Sequence, residues 1–126
     1  MAVILYLSHQ EKSGDHLLRI IRKAIPDHAI EIFSSVGDLS ERLHRPRLDV
    51  SVAVLYAASR AGLMEMIYLG DLLGELRVVL ILPDGQPDIL EKAYDLRPRF
   101  VAAAESDFKH LGSILQKMTN LYDKTH

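Results

Sequence analysis

One apolar stretch near the middle of the chain, residues 48–58 (LDVSVAVLYAA), most constrains what this sequence can fold into. From residue 50 to residue 58 only Ser51 is polar, and the run contains three β-branched valines and a tyrosine. A run this short and this apolar, without polar residues at alternate positions, is typical of a strand buried on both faces. Such strands lie at the centre of parallel sheets that are covered by helices on each side. The stretch therefore predicts an α/β domain.

Strand and helix patterns alternate along the rest of the chain. Short apolar or alternating runs predict further strands at residues 2–7, 29–33, 77–82 and 100–104, and a helical spacing of apolar residues follows each strand. Connections between parallel strands are right-handed in nearly all proteins, so these units should form an open, doubly wound sheet. The usual five-stranded solution is the flavodoxin-like order 2-1-3-4-5. This order places the alternating run at residues 29–33 on an edge.

Turn and capping residues predict where the five helices begin and end. Ser13 or Asp15 is expected to cap the first helix. Ser35 is followed at the capping-box spacing by Asp38, which predicts the start of the second helix. Residues 59–74 are predicted to form one long third helix, because a glycine ends their apolar spacing.

Composition limits the functions that this chain can have. At 126 residues it is expected to form a single domain, residues 1–126, and its formal charge of −2 includes no long run of either sign. A clustered basic face, typical of nucleic-acid-binding proteins, is therefore not expected. The chain has no cysteine, which excludes disulfides and thiolate metal sites. The apolar start at residues 2–7 is too short to span a bilayer, so we predict a cytoplasmic protein without membrane contact.

In a doubly wound sheet, ligands bind outside the carboxyl ends of the strands. A metal or phosphoryl site there would need several carboxylates, and a flavin or dinucleotide site would need a loop rich in glycine or hydroxyl groups. The first and third strands supply no carboxylate, the histidines are scattered, and residues 8–14 hold one glycine. We therefore expect neither a metal nor a cofactor. The residues predicted at this edge are Ser8, His9, Gln10, Tyr56, Ser59, Pro83, Asp84, Ala103, Ala104 and Glu105.

Two spacings around the central strand resemble those of the receiver domains of two-component response regulators. In that family the third strand opens with Pro-Asp, and the phosphorylated Asp lies five positions after that first Asp; counting from Asp49 gives Val54. The family's Asp-Gly-Leu pattern has its Gly eight positions after the acceptor, and counting back from Gly62 also gives Val54. The resemblance thus implies a receiver-like (CheY-like) chain with valine in place of the phosphorylated aspartate.

The other positions that receivers use for phosphoryl chemistry also carry unsuitable residues. By the resemblance, the acidic pair falls on Ser8-His9 or His9-Gln10, the hydroxyl position on Leu82 and the lysine position on Ala103. An aspartyl phosphate forms with the help of Mg²⁺ held by carboxylates. The resemblance therefore implies a degenerate receiver that is not an enzyme and is not phosphorylated in a Mg²⁺-dependent way. Such a module would act in bacterial signalling through a protein partner or as a homodimer.

The resemblance also implies a contact surface, because receivers dimerise and bind output domains through the face next to their last strand. The residues predicted on this surface are Tyr94, Leu96, Arg97 and Arg99. Tyr94 could equally pack on the chain's own sheet. A separate basic turn could bind an anion but is more typical of a solvated surface; it contains Arg42, Arg45 and Arg47.

A different class of function stays open. His9, Tyr56 and Asp84 are predicted at the same end of the sheet, where they could form a general acid–base cluster. The simpler interpretation is that His9 and Asp84 are solvated in loops and that Tyr56 packs beneath them. The alternative to a receiver-like module is therefore a small flavodoxin-like enzyme or ligand-binding domain that uses this edge of the sheet.

Overall fold

The strands form one parallel sheet in the predicted order. The computed structural model describes residues 2–7, 12–46, 49–57, 59–74, 76–82, 87–103 and 110–125. Its five strands are paired in the order β2-β1-β3-β4-β5, which confirms the flavodoxin-like topology. Their bounds are β1 Ala2–Leu7, β2 Ala29–Phe33, β3 Val50–Tyr56, β4 Val78–Leu82 and β5 Phe100–Ala103.

Six helices and one 3-10 turn connect and follow the strands in the described residues. The helices are α1 Lys12–Ala24, α2 Val36–Leu43, α3 Arg60–Ile67, α4 Gly70–Leu73, α5 Pro87–Ala93 and α6 Leu111–Thr125. The 3-10 turn, Tyr94–Leu96, continues directly from α5.

The sheet separates two apolar cores. On one face α1 and α6 pack against alternate residues of the strands, among them Val52 and Val54. On the other face the helices from α2 to α5 pack against the intervening residues, among them Ala53 and Leu55. All seven residues of β3 are buried, as expected for a strand covered on both faces. Its one polar side chain is satisfied, because the Ser51 hydroxyl donates to the Ala2 carbonyl at 3.2 Å.

Side-chain caps fix the starts of two helices. The Ser35 hydroxyl accepts a hydrogen bond from the Asp38 amide at 3.1 Å, which confirms the predicted start of α2. The Ser59 hydroxyl accepts from the Gly62 amide at the same distance and caps α3. The predicted cap of the first helix is wrong, because α1 already begins at Lys12. Asp15 instead lies in the first turn, where a carboxylate is stabilised by the helix dipole.

The predicted long third helix is interrupted. Instead of one helix over residues 59–74, α3 ends at Ile67 and the four-residue α4 begins at Gly70. Between them the Leu69 amide donates to the Met66 carbonyl at 2.9 Å, an i→i+3 bond that tightens the chain. Glycine inside a helix costs about 1 kcal/mol relative to alanine, and Gly70 lies where the chain resumes helical structure after this turn.

Arg42 is an internal ion-pair residue, so the prediction of a solvated basic turn is wrong at this position. Its guanidinium donates to both carboxylate oxygens of Glu31, at 2.8 and 3.2 Å. It also donates to the Pro46 carbonyl at 3.1 Å and to Asp49 Oδ1 at 3.3 Å. The hydrogen bond to Glu31 is the main cause that raises the pKa of Arg42 above its ordinary value. These bonds tie α2 to β2 and to the start of β3; Arg45 is exposed, and Arg47 lies outside the described residues.

Candidate functional site at the carboxyl edge of the sheet

Strand register determines which residues lie level with one another at the carboxyl edge. Tyr56 of β3 pairs with Ile81 of β4, and Leu82 pairs with Ala103 of β5. The Ala57 amide donates to the Ile81 carbonyl at 2.8 Å, so the ladder continues one residue beyond β3. Ala57 is therefore the β3-side residue level with Leu82 and Ala103.

Val54 lies inside the sheet, two residues before the end of β3. It pairs with Leu5 of β1 and Val79 of β4, and none of its surface is exposed. Its side chain belongs to the core beneath α1 and α6. The family's phosphorylated aspartate ends the third strand, whereas Val54, the position that the spacing from Asp49 indicates, lies two residues before the end of β3.

The described positions at this edge are apolar and closed to solvent. Ala57 and Leu82 have no exposed surface, and only 3% of Tyr56 is exposed. None of these side chains carries a carboxylate, and the described part of the chain contains no group of three His, Cys, Asp or Glu residues that could hold a metal ion. A divalent cation takes several oxygen ligands, so these positions cannot supply a Mg²⁺ site by themselves.

One buried phenol lies near the same edge. Tyr6, the next-to-last residue of β1, is 1% exposed. Burial raises the pKa of Tyr6 above its ordinary value, and the negative charge of Glu65 on α3 adds to the effect. The hydroxyl therefore keeps its proton at neutral pH and is not available as a general base.

Several predicted site residues lie outside the described part of the chain: Ser8, His9, Gln10, Pro83, Asp84, Ala104 and Glu105. The proposed cluster of His9, Asp84 and Tyr56 therefore stays a prediction, with Tyr56 placed in the core and its two partners not described. Ser59 lies at the expected edge, but its hydroxyl caps α3.

An ion pair between two helix starts was missed by sequence reasoning. Arg60 opens α3, Asp88 lies in the first turn of α5, and their side chains form an ion pair. These helices follow β3 and β4, so the pair connects the segments that leave the two sealed strand ends. The sequence indicates that Asp88 stabilises the start of a helix, but only the fold shows that Arg60 lies beside it.

The prediction of a contact surface is wrong at one residue, Leu96. Leu96 is only 5% exposed and belongs to the core, because the 3-10 turn directs it inward. Tyr94 is 63% exposed, and Arg97 and Arg99 are exposed beside it. Tyr68, which directly follows α3, is 86% exposed.

Comparisons with known proteins show the fold alone. No family model matches the chain, and no curated protein does either.

Within the described residues, every helix is too short or too polar to span a bilayer.

Solved structures resemble the chain over nearly its whole length. A Burkholderia pseudomallei protein named as pilus assembly-related has a TM-score of 0.72 at 19% identity, covering 95% of this chain and 90% of its own. A pilus assembly protein (CpaE) of Burkholderia thailandensis has a TM-score of 0.70 at 19% identity, covering 95% and 99%. A response regulator from Thermotoga maritima has a TM-score of 0.68 at 6% identity, covering 95% and 98%. The chain therefore has the CheY-like fold that these proteins share.

Proposed function

We propose that this chain is a receiver-like signalling module that acts through protein contact and does not depend on phosphorylation. The observation that carries the proposal is the closed, apolar edge formed by Ala57 and Leu82. The side chains at the β3, β4 and β5 positions that would accept and stabilise a phosphoryl group in a receiver are aliphatic in this chain.

The proposal does not depend on which β3 residue matches the family's acceptor. Spacing along the sequence favours Val54, and strand register favours Ala57. Neither side chain has an oxygen that could be phosphorylated. Leu82 and Ala103 likewise lack the hydroxyl and the amine that could stabilise the transferred group. Phosphoryl transfer relies almost entirely on such positioned charges and on bound metal, so little catalysis is expected.

Exposed residues of the kinds that anchor protein interfaces support contact as the mode of action. Tyr68 and Tyr94 are two of the three large apolar side chains exposed among the described residues. Tyrosine and arginine are enriched in the few residues that carry most binding energy at interfaces. We propose that this surface, with Arg97 and Arg99, contacts a second copy or another protein in the bacterial cytoplasm. The similar structures include both pilus assembly proteins and response regulators, which is consistent with a contact module.

Intact-mass measurement tests independence from phosphorylation. The chain is incubated with acetyl phosphate and Mg²⁺, and a parallel sample contains excess chelator. We expect the same unmodified mass in both samples, because neither Val54 nor Ala57 carries the carboxylate that acetyl phosphate would phosphorylate. A stoichiometric gain of one phosphoryl group that requires Mg²⁺ would contradict the proposal.

A further inference from the structure

A groove of about 350 Å³ lies at the end of the molecule opposite to the carboxyl edge. One wall is formed by the junction of α3 and α4, including Tyr68 and Asp71, and the other by Asp95 and Arg97. Both walls directly precede strands: α4 leads into β4, and the Arg99 amide donates to the carbonyl of Val78, the first residue of β4. The groove is therefore at the amino end of the sheet.

The interruption of the third helix shapes this groove. Tyr68 directly follows α3 and is 86% exposed. The floor is closed by Leu96, whose Cδ2 atom would lie 3.9 Å from a β-carbon added at Gly70. Arg97 follows with φ of 49°, the one positive φ among the described residues other than glycine, and its amide donates to the Tyr94 carbonyl at 3.0 Å. The groove is thus built by backbone turns on both sides.

The charges of the groove do not balance. Two carboxylates, Asp71 and Asp95, and one guanidinium, Arg97, line the groove, so its formal charge is one negative unit. Neither aspartate forms an ion pair with another residue in the described ranges. An exposed tyrosine ring at the wall adds a face that attracts cations.

We propose that this groove binds a guanidinium side chain presented by a basic segment of a protein partner. The inference rests on the proposed function, in which the module acts through protein contact. Such a side chain would donate hydrogen bonds to Asp71 or Asp95, neutralise the uncompensated charge and stack on Tyr68. Arginine fits better than lysine, because its planar guanidinium can donate hydrogen bonds to a carboxylate and stack on an aromatic ring at the same time.

The groove is tested by NMR titration of the uniformly ¹⁵N-labelled full chain. The probe is N-acetyl-arginine amide, and the neutral analogue N-acetyl-citrulline amide controls for shape. We expect saturable shifts at the amides of Tyr68, Asp71 and Arg97 with arginine amide and none with the citrulline compound. Asp71→Asn and Asp95→Asn should each weaken the binding about two- to fivefold, as for exposed ion pairs. Glu41→Gln on α2, an exposed acid outside the groove, should leave it unchanged.

The NMR titration and the phosphorylation test can fail independently of each other. Absence of saturable shifts, equal shifts with the citrulline compound, or binding unchanged by both asparagine variants would overturn the groove assignment. None of these outcomes would bear on phosphorylation. Conversely, a chain that bound arginine amide as expected but accepted a phosphoryl group would retain the groove and lose the proposed function.

Discussion

At the scale of single residues, Arg42 has the most demanding environment. Its side chain is 7% exposed and bonds to Glu31, which is 34% exposed, and to Asp49, which is 61% exposed. Because the carboxylate partners are partly solvated, breaking the cluster should cost less than breaking a fully buried pair. The sequence could not show this, since an arginine beside two others near a proline looks like surface.

Removal of the Arg42 guanidinium is expected to destabilise the fold. Arg42→Met keeps much of the apolar stem but leaves the half-buried Glu31 carboxylate without its hydrogen-bond donors. We expect the free energy of unfolding to fall by about 1–3 kcal/mol in urea denaturation. Arg45→Met, an exposed neighbour, should change it by less than about 0.5 kcal/mol. Equal effects of the two substitutions would show that the cluster does not stabilise the fold.

Tyr6 predicts how stability depends on alkaline pH. In the unfolded chain a tyrosine loses its proton near its ordinary pKa of 10.0, whereas burial raises the pKa of Tyr6 in the folded chain. Above pH 10 the unfolded state therefore binds fewer protons than the folded state, and stability is lost as the pH rises. Below pH 10 the phenol is protonated in both states, so no stability is lost.

Tyr6→Phe should reduce that loss. Denaturant unfolding is measured from pH 8 to pH 11 for the parent chain and for the variant. The difference in unfolding free energy between them should be constant up to about pH 9 and should change in favour of the variant at higher pH. The exposed Tyr68→Phe serves as the control. A pH profile that is the same for Tyr6→Phe and for the parent would contradict the burial argument.

At the scale of elements, alanine substitution tests the packing around two helical glycines, Gly70 and Gly14. A β-carbon at Gly70 would have Leu96 Cδ2 at 3.9 Å as its nearest neighbour, whereas one at Gly14 in α1 would lie 3.1 Å from Leu7 Cδ1. Gly70→Ala should therefore stabilise the fold by about 0.4–1 kcal/mol by restricting the unfolded chain. Gly14→Ala should gain less or lose stability, because Leu7 must shift. Thermal and urea unfolding measure both, and the reverse order would contradict the packing described.

Most elements could be predicted from the sequence, because their apolar periods and caps are local signals. Ser35 caps α2, and the alternating run Ala29–Phe33 forms the edge strand β2, as their sequence patterns predict. The errors occur where tertiary contacts decide. Leu96 is buried because it joins the core beneath the sheet, and Arg42 is paired because β2 brings Glu31 beside α2. Val54 shows the same limit, because spacing identifies a position in a family but not where a strand ends.

At the scale of the whole molecule, the two ends of the sheet have different surfaces. The described carboxyl ends of β3 and β4 are apolar and sealed, with the ion pair of Arg60 and Asp88 nearby. The amino end carries the charged groove beside Tyr68. The proposal therefore assigns contact to the amino end and to the neighbouring surface around Tyr94, away from the edge where this fold usually binds ligands.

Self-contact through that surface can be measured by light scattering of the isolated chain. If the surface binds a second copy, the average mass should exceed 14.2 kDa at high concentration and should fall to that value for Tyr94→Glu. Arg19→Glu, an exposed substitution on α1, should leave the mass of the parent unchanged. A monomer for both the parent and Tyr94→Glu would show that this surface does not bind a second copy.

Beryllofluoride shows whether the carboxyl edge of the sheet can take part in phosphoryl chemistry. This ion mimics a phosphoryl group on an aspartate and requires Mg²⁺, so ¹⁵N NMR spectra are compared with and without both. We expect unchanged amide resonances for Ala57, Leu82 and Ala103 at saturating beryllofluoride, because no carboxylate at these positions can bind it. A Mg²⁺-dependent second set of resonances at these three residues, at one ion per chain, would contradict it.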